Sequence, residues 1–169
     1  MVVEAYRASD GTMAWDLTWN RGYGYEEVGG LAIDGGSMFI AGWTKGNTTQ
    51  DDLAVLKLDI NGNLIWATTW GTPDWDEANG QIVVDSENVY VAGRYDAPSW
   101  ITGGDALLAA FDKMTGAYKW HKTWGGPALD DALGMVVDLP SLYLVGMTKS
   151  FGQGMLIFLN KYNSNGDPV

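Results

Sequence analysis

Cysteine does not occur among the 169 residues, and histidine occurs once. Without cysteine there is no disulfide framework and no thiolate metal site. One histidine cannot build a zinc centre of His and Cys ligands. That residue, His121, stands between Trp120 and Lys122 with no Ser or Asp motif to place it as a base, so it reads as an ordinary strand residue. No stretch approaches the roughly 18 apolar residues of a membrane-spanning helix. The opening residues, Met1 to Arg7, have neither the basic nor the apolar region of a secretory signal. This start suits a cytosolic protein, or one whose leader precedes these residues.

Positive charge is also scarce. Ten Lys and Arg against 21 Asp and Glu leave a formal net charge of −11. Such a surface repels phosphate backbones and anionic headgroups, which argues against nucleic-acid and membrane partners. Gly22-Tyr23-Gly24 is followed at once by Glu26-Glu27, which would repel a phosphate, so no nucleotide loop is expected there. The sequence implies no cofactor.

The chain is rich instead in glycine (23), tryptophan (9) and tyrosine (8). That combination suits short strands joined by tight turns, because glycine supplies positive φ and aromatic rings fill pleated, half-buried surfaces. These residues recur with one period. Trp-x-x-x-Trp is found at Trp15/Trp19, Trp66/Trp70 and Trp120/Trp124, at intervals of 51 and 54 residues. A glycine closes an apolar run at Gly42, Gly93 and Gly146, each preceded by an aspartate eight residues earlier, at Asp34, Asp85 and Asp138. Turn glycines fall at Gly11, Gly62, Gly116 and Gly166, and an acidic pair follows each Trp pair: Glu26-Glu27, Asp76-Glu77 and Asp130-Asp131. Five markers sharing a period of about fifty residues define a structural repeat.

Each unit reads as four strands, A to D. In the middle copies these are Gln81–Asp85 (A), Asn88–Gly93 (B), Leu53–Asp59 (C) and Leu64–Trp70 (D), with Asn61-Gly62 as the hairpin turn between C and D. No window carries a sustained helical period between caps, so no long helix is expected. Strands B and C are apolar on both faces, as in Leu53-Ala54-Val55-Leu56, which calls for sheets packed against sheets on each side. The expected fold is therefore all-β: four-stranded antiparallel blades of a β-propeller, about three per chain. The expected division is a partial blade over residues 1–27 (strands C and D), blades over 28–79 and 80–133, and a partial blade over 134–169 (strands A to C). A parallel β-helix is the rival, but its coils are usually shorter and need no hairpin in each turn.

Residues Trp70–Gly93, W-G-T-P-D-W-D-E-A-N-G-Q-I-V-V-D-S-E-N-V-Y-V-A-G, with the preceding Asp51–Trp66, resemble the SBBP repeat, named for the seven-bladed β-propeller. The likeness extends over nearly the whole chain. Phe111–Trp120 is also similar to the tryptophan-docking motif of quinoprotein propellers, in which the Trp packs between neighbouring blades. The resemblance implies an extracellular or cell-surface propeller, mostly without enzymatic activity. The cofactor ligands and catalytic carboxylate of quinoprotein dehydrogenases find no counterparts here, so that activity is not carried over.

The recurring acidic pairs are expected in the loops between strand D of one blade and strand A of the next, beside Tyr25, Trp75 and Leu129. Tyr25, Glu26, Glu27, Trp75, Asp76, Glu77, Trp100, Asp130 and Asp131 are therefore the candidate binding residues. They admit two uses. An acidic and aromatic face could take a cation, a basic peptide or a sugar; alternatively the carboxylates accept hydrogen bonds from Gly-rich turns and tie the blades together. Recurrence in every copy favours the second use. Asp59 to Asn63 and Asn163 to Asp167 lack the ligand pattern of a calcium loop and read as hairpin turns. The functional expectation is a non-enzymatic scaffold for protein interaction or surface assembly, its ring closed by a homodimer. A carbohydrate-binding module is the alternative, and a fragment of a larger propeller enzyme the third reading.

Overall fold

A computed structural model describes residues 1–22, 24–97 and 103–169, and every described element is a β-strand or a connection between strands. Among the described residues, fourteen strands form four antiparallel sheets. The first sheet is the hairpin β1 (Val2–Tyr6) and β2 (Met13–Thr18). The second comprises β3 (Glu26–Asp34), β4 (Ser37–Lys45), β5 (Asp51–Asp59) and β6 (Leu64–Trp70), in that spatial order. The third is β9 (Asn88–Ala97), β10 (Asp105–Asp112) and β11 (Tyr118–Trp124), with two short strands, β7 (Trp75–Glu77) and β8 (Ile82–Val84), sharing the outer edge of β9. The fourth is β12 (Asp130–Asp138), β13 (Ser141–Thr148) and β14 (Leu156–Asn163).

Local chemistry forms the hairpins. Between β5 and β6 the Asp59 carboxylate accepts hydrogen bonds from the amides of Asn61 (2.8 Å) and Asn63 (2.9 Å), and Gly62 takes the φ of 86° that a side chain would resist. Asp112 does the same for Met114 and Thr115, and Asn163 for Asn165 and Asp167. In both sequences considered as calcium loops, the leading residue, Asp59 or Asn163, thus accepts from the backbone of its own turn through one oxygen.

The sheets stack face to face in chain order, and the cores lie between them. Phe39, Leu53 and Val55 of the second sheet meet Ile82, Val89, Val91 and Leu107 of the third. Tyr90, Ala92 and Leu108 on the opposite face of the third meet Met135, Leu142, Leu144 and Phe158 of the fourth. Met38, Ile40 and Leu56 meet Val3, Trp15 and Leu17 of the first sheet. This explains why strands such as β5 and β10 are apolar on both faces. Each such side chain removed from water contributes about 1.5–3 kcal/mol.

The Trp pairs act at these junctions. The missing Cβ of Gly62 would lie 2.5 Å from the Trp15 ring, that of Gly116 2.6 Å from Trp66, and that of Gly166 2.7 Å from Trp120. The first Trp of each pair therefore lies flat against the hairpin-turn glycine of the following sheet. All six paired tryptophans are half-buried, flanking the cores rather than filling them.

One expectation is corrected. The acidic pairs do not occupy loops: β3 begins at Glu26, β12 begins at Asp130, and Asp76 and Glu77 belong to β7. Strand A of the third sheet, expected over Gln81–Asp85, is β8, and β7 is a further short strand ahead of it on the same edge. One residue more separates Asp76 from Asp85 than separates Glu26 from Asp34 or Asp130 from Asp138. The excess residue widens the bulge seen at Val28/Gly30 and Ala132/Gly134 into a break between β7 and β8.

Candidate functional site

The antiparallel register brings the carboxylates to one end of each sheet. Glu26 pairs with Thr44, Lys45 with Asp51, Glu77 with Arg94 and Asp130 with Thr148, so strand starts and strand ends alternate along a common rim. At this rim the two members of each acidic pair have different tasks.

The first member closes the turn that precedes it. Asp76 is fully buried and accepts from the amide and hydroxyl of Thr72 (2.5 and 2.8 Å) and from the amide of Asp96 (2.9 Å), which sits at a φ of 51°. Asp130, also buried, accepts from the Gly126 amide (2.8 Å) and the Ser150 hydroxyl (2.6 Å). Glu26 makes longer bonds to the Arg21 amide and the Thr44 hydroxyl, at 3.4 and 3.5 Å. Burial pushes the Asp76 carboxyl above its usual range, although the Thr72 and Asp96 amides pull it down.

The second member faces the junction between sheets. Glu77 is paired with the buried guanidinium of Arg94 at 2.6 Å. Asp131, from the fourth sheet, accepts from the Asn79 amide group of the third at 3.2 Å, and Arg94 acts electrostatically on it as well. Burial raises the pKa of both Glu77 and Asp131, and Arg94 opposes the rise in each case. The Oδ1 atoms of Asp130 and Asp131 and the Oδ1 of Asn79 are buried and accept no hydrogen bond. Glu27, the equivalent residue of the second sheet, is exposed.

Sequence reasoning missed a second set of carboxylates. Asp52 and Asp105 stand at the starts of β5 and β10, 53 residues apart, an interval that marks them as part of the repeat. A Cβ on Gly71 would lie 2.6 Å from Asp52 and 3.0 Å from Asp76; one on Gly125 would lie 2.4 Å from Asp105 and 2.5 Å from Asp130. The glycine after each of these Trp pairs thus makes room for two carboxylates. Burial raises Asp52 and Asp105, and Asp130 adds to the rise at Asp105. Asp51 is raised by burial too, while Lys45 and the Trp75 side chain, which is hydrogen-bonded to it, hold it down.

Of the candidate residues, the rim carries Glu26 of the second sheet, Trp75, Asp76 and Glu77 of the third, and Asp130 and Asp131 of the fourth. Tyr25 is exposed, its carbonyl accepting from the Lys45 amide at 2.9 Å, and Trp100 lies outside the described residues. His121 packs in an aromatic group with Trp70, Tyr95 and Tyr118, and burial lowers its pKa. Among the described residues no three His, Cys, Asp or Glu side chains converge as metal ligands. Comparison with protein-family models finds no match, and comparison with curated proteins finds none either.

Proposed function

We propose that the chain is a non-enzymatic scaffold of β-propeller type, its sheets being blades of the kind the SBBP resemblance implies, and that it serves protein interaction or assembly at an outer surface of the cell. The observation that carries this reading is the use made of the recurring carboxylates. Asp76 and one oxygen of Asp130 accept hydrogen bonds from the backbone and hydroxyls beside them, Glu77 pairs with Arg94 within the third sheet, and Asp131 accepts from Asn79 across a sheet junction. A general acid, a base or a nucleophile would have to face a substrate; these groups face the scaffold.

Carbohydrate binding is the competing use of the same rim, with Trp75 and Tyr25 as stacking surfaces; Trp100, the third aromatic candidate, lies outside the described residues. Trp75 is half-buried and its side chain is bonded to Asp51, which favours a structural role for it. A glycan array separates the two readings. The scaffold reading expects no reproducible glycan binding. Binding that is abolished in Trp75→Ala, with the fold intact by circular dichroism, would replace it with the carbohydrate-binding one.

A further inference from the structure

Asp131 and Asn79 meet where the fourth sheet packs on the third, and the backbone around both is fixed. A Cβ on Gly80, next to Asn79, would collide with the Ala132 carbonyl, and one on Gly146 with the carbonyl of Asp131 itself. Asn79 donates from Nδ2 to Asp131 Oδ2 at 3.2 Å. The other oxygen on each partner of this bond, Oδ1 of Asp131 and Oδ1 of Asn79, is buried and accepts no hydrogen bond. Asp131 is only 4% exposed, so bulk water does not serve it. Two buried acceptors without a donor destabilise a junction.

The surrounding charges do not balance. Arg94 of β9 attracts Asp131, but it is paired at 2.6 Å with Glu77 of β7, and Asp131 and Asp51 both repel Glu77. One guanidinium thus faces more than one carboxylate. The other groups on elements packed against β12 are turned elsewhere. Asp105 of β10 interacts with Asp130 and Asp96, Asp112 with its own turn, Tyr90 with Asp85 and Tyr95 with His121. No titratable residue lies on β8, and on β13 the residue opposite Asp131 is Met147, with Tyr143 opposite Val136. Burial favours the neutral acid at Asp131 more than Arg94 favours the carboxylate.

We propose that Asp131 holds a proton on Oδ1 in the folded chain and donates it to Oδ1 of Asn79, closing an acid–amide ring that latches the fourth sheet to the third and opens as pH rises. The proton satisfies both orphaned oxygens at once. Its loss sets two acceptors against each other in a buried junction and leaves a charge that draws water in. The preceding junction is built differently. Gly29 approaches the Ala78 carbonyl as Gly80 approaches that of Ala132, yet Val28 stands in the place of Asn79 and Glu77 turns to Arg94. The inference concerns the junction itself and stands whatever the chain binds.

Carbon-13 NMR of the carboxyl groups in the intact chain, followed across a pH titration, reads the proton directly and needs no variant. The Asp131 resonance should titrate above the ordinary carboxyl midpoint of about 4. The Met135 amide, which donates to Gln81 Oε1 across the same junction at 2.8 Å, reads the latch by hydrogen exchange. Its protection, corrected for the intrinsic dependence of exchange on pH, should fall as Asp131 ionises. Asp131→Asn copies the neutral acid, because its amide can donate to Asn79 Oδ1 and accept from Nδ2. That variant should keep Met135 protected over the whole range. An Asp131 resonance titrating at or below about 4 overturns the proposal. Equal loss of Met135 protection in parent and variant does so as well, and failure of Asp131→Asn to fold would show that the charge, not the acid, is required.

Discussion

The Cβ that Gly93 lacks would lie 1.9 Å from the carbonyl oxygen of Glu77, closer than any two such atoms can come. The same relationship joins Gly42 to Glu27 at 1.9 Å and Gly146 to Asp131 at 2.0 Å. The recurring glycine and the second acidic residue, two separate marks in the sequence, are thus two sides of one device. The bulge at the start of strand A drives a carbonyl into the neighbouring strand, where only glycine leaves room.

Gly93→Ala therefore cannot be relieved by a rotamer change, since the obstacle is backbone. We expect a loss of at least about 3 kcal/mol, the upper end of overpacking costs, read as a collapse of the urea midpoint. Gly11→Ala is the control. Nothing lies within 4 Å of its added Cβ, so only the strain of φ 72° remains, roughly 1–2 kcal/mol. Equal effects of the two substitutions would refute the close-approach account.

Trp66→Ala removes the ring that covers Gly116, and Trp120→Ala the one that covers Gly166. Because both rings are half-buried, each loss should be about 3 kcal/mol, the low end for truncating a buried tryptophan. Thermal melting that changes by only a degree or two in either variant would show that the Trp pairs do not hold the sheets together.

Asp76→Ala leaves the Thr72 and Asp96 amides without their acceptor at a buried site. The expected cost is about 1–3 kcal/mol by chemical denaturation. Unchanged stability together with loss of a ligand's binding would return this residue to a recognition role.

Stability should peak on the acidic side of neutrality. Asp51, Asp52, Asp76, Glu77, Asp105 and Asp131 have raised pKa values in the folded chain, chiefly through burial. Each folded-state carboxyl binds its proton more readily than in the unfolded chain. Stability therefore grows as pH falls through these raised values, and the gain is complete near the ordinary carboxyl value of about 4. Asp59 and Asp112 have the opposite sign: their turn hydrogen bonds lower them, Asp112 to about 2. Their contribution is present above about pH 4 and is lost as pH falls through the lowered values. Melting temperature measured from pH 8 to pH 2 should rise as the pH falls toward about 4 and drop at lower pH. A monotonic fall from neutrality downward would contradict the assignment of the buried rim carboxyls.

The sequence by itself determined what is local. Apolar runs bounded by hairpin-turn residues marked the strands, and β6 runs over Leu64–Trp70 as the pattern predicts. Asn61-Gly62 marked a hairpin because the φ it needs belongs to that residue alone, and the fifty-residue period marked the repeat. Only the tertiary structure decided how residues far apart share space. It set the Glu77 carbonyl against Gly93, placed Asp52 and Asp76 on either side of Gly71, and brought Arg94 between Glu77 and Asp131. It also added β7 ahead of β8 on the edge of β9, where one inserted residue shifts the register between the two. Above all it settled exposure. Leu31 and Ile82 are apolar residues at one register position, and nothing in their own segments says that one faces water and the other a neighbouring sheet. A side chain's character is written in its own segment, but its burial depends on which surface arrives to cover it.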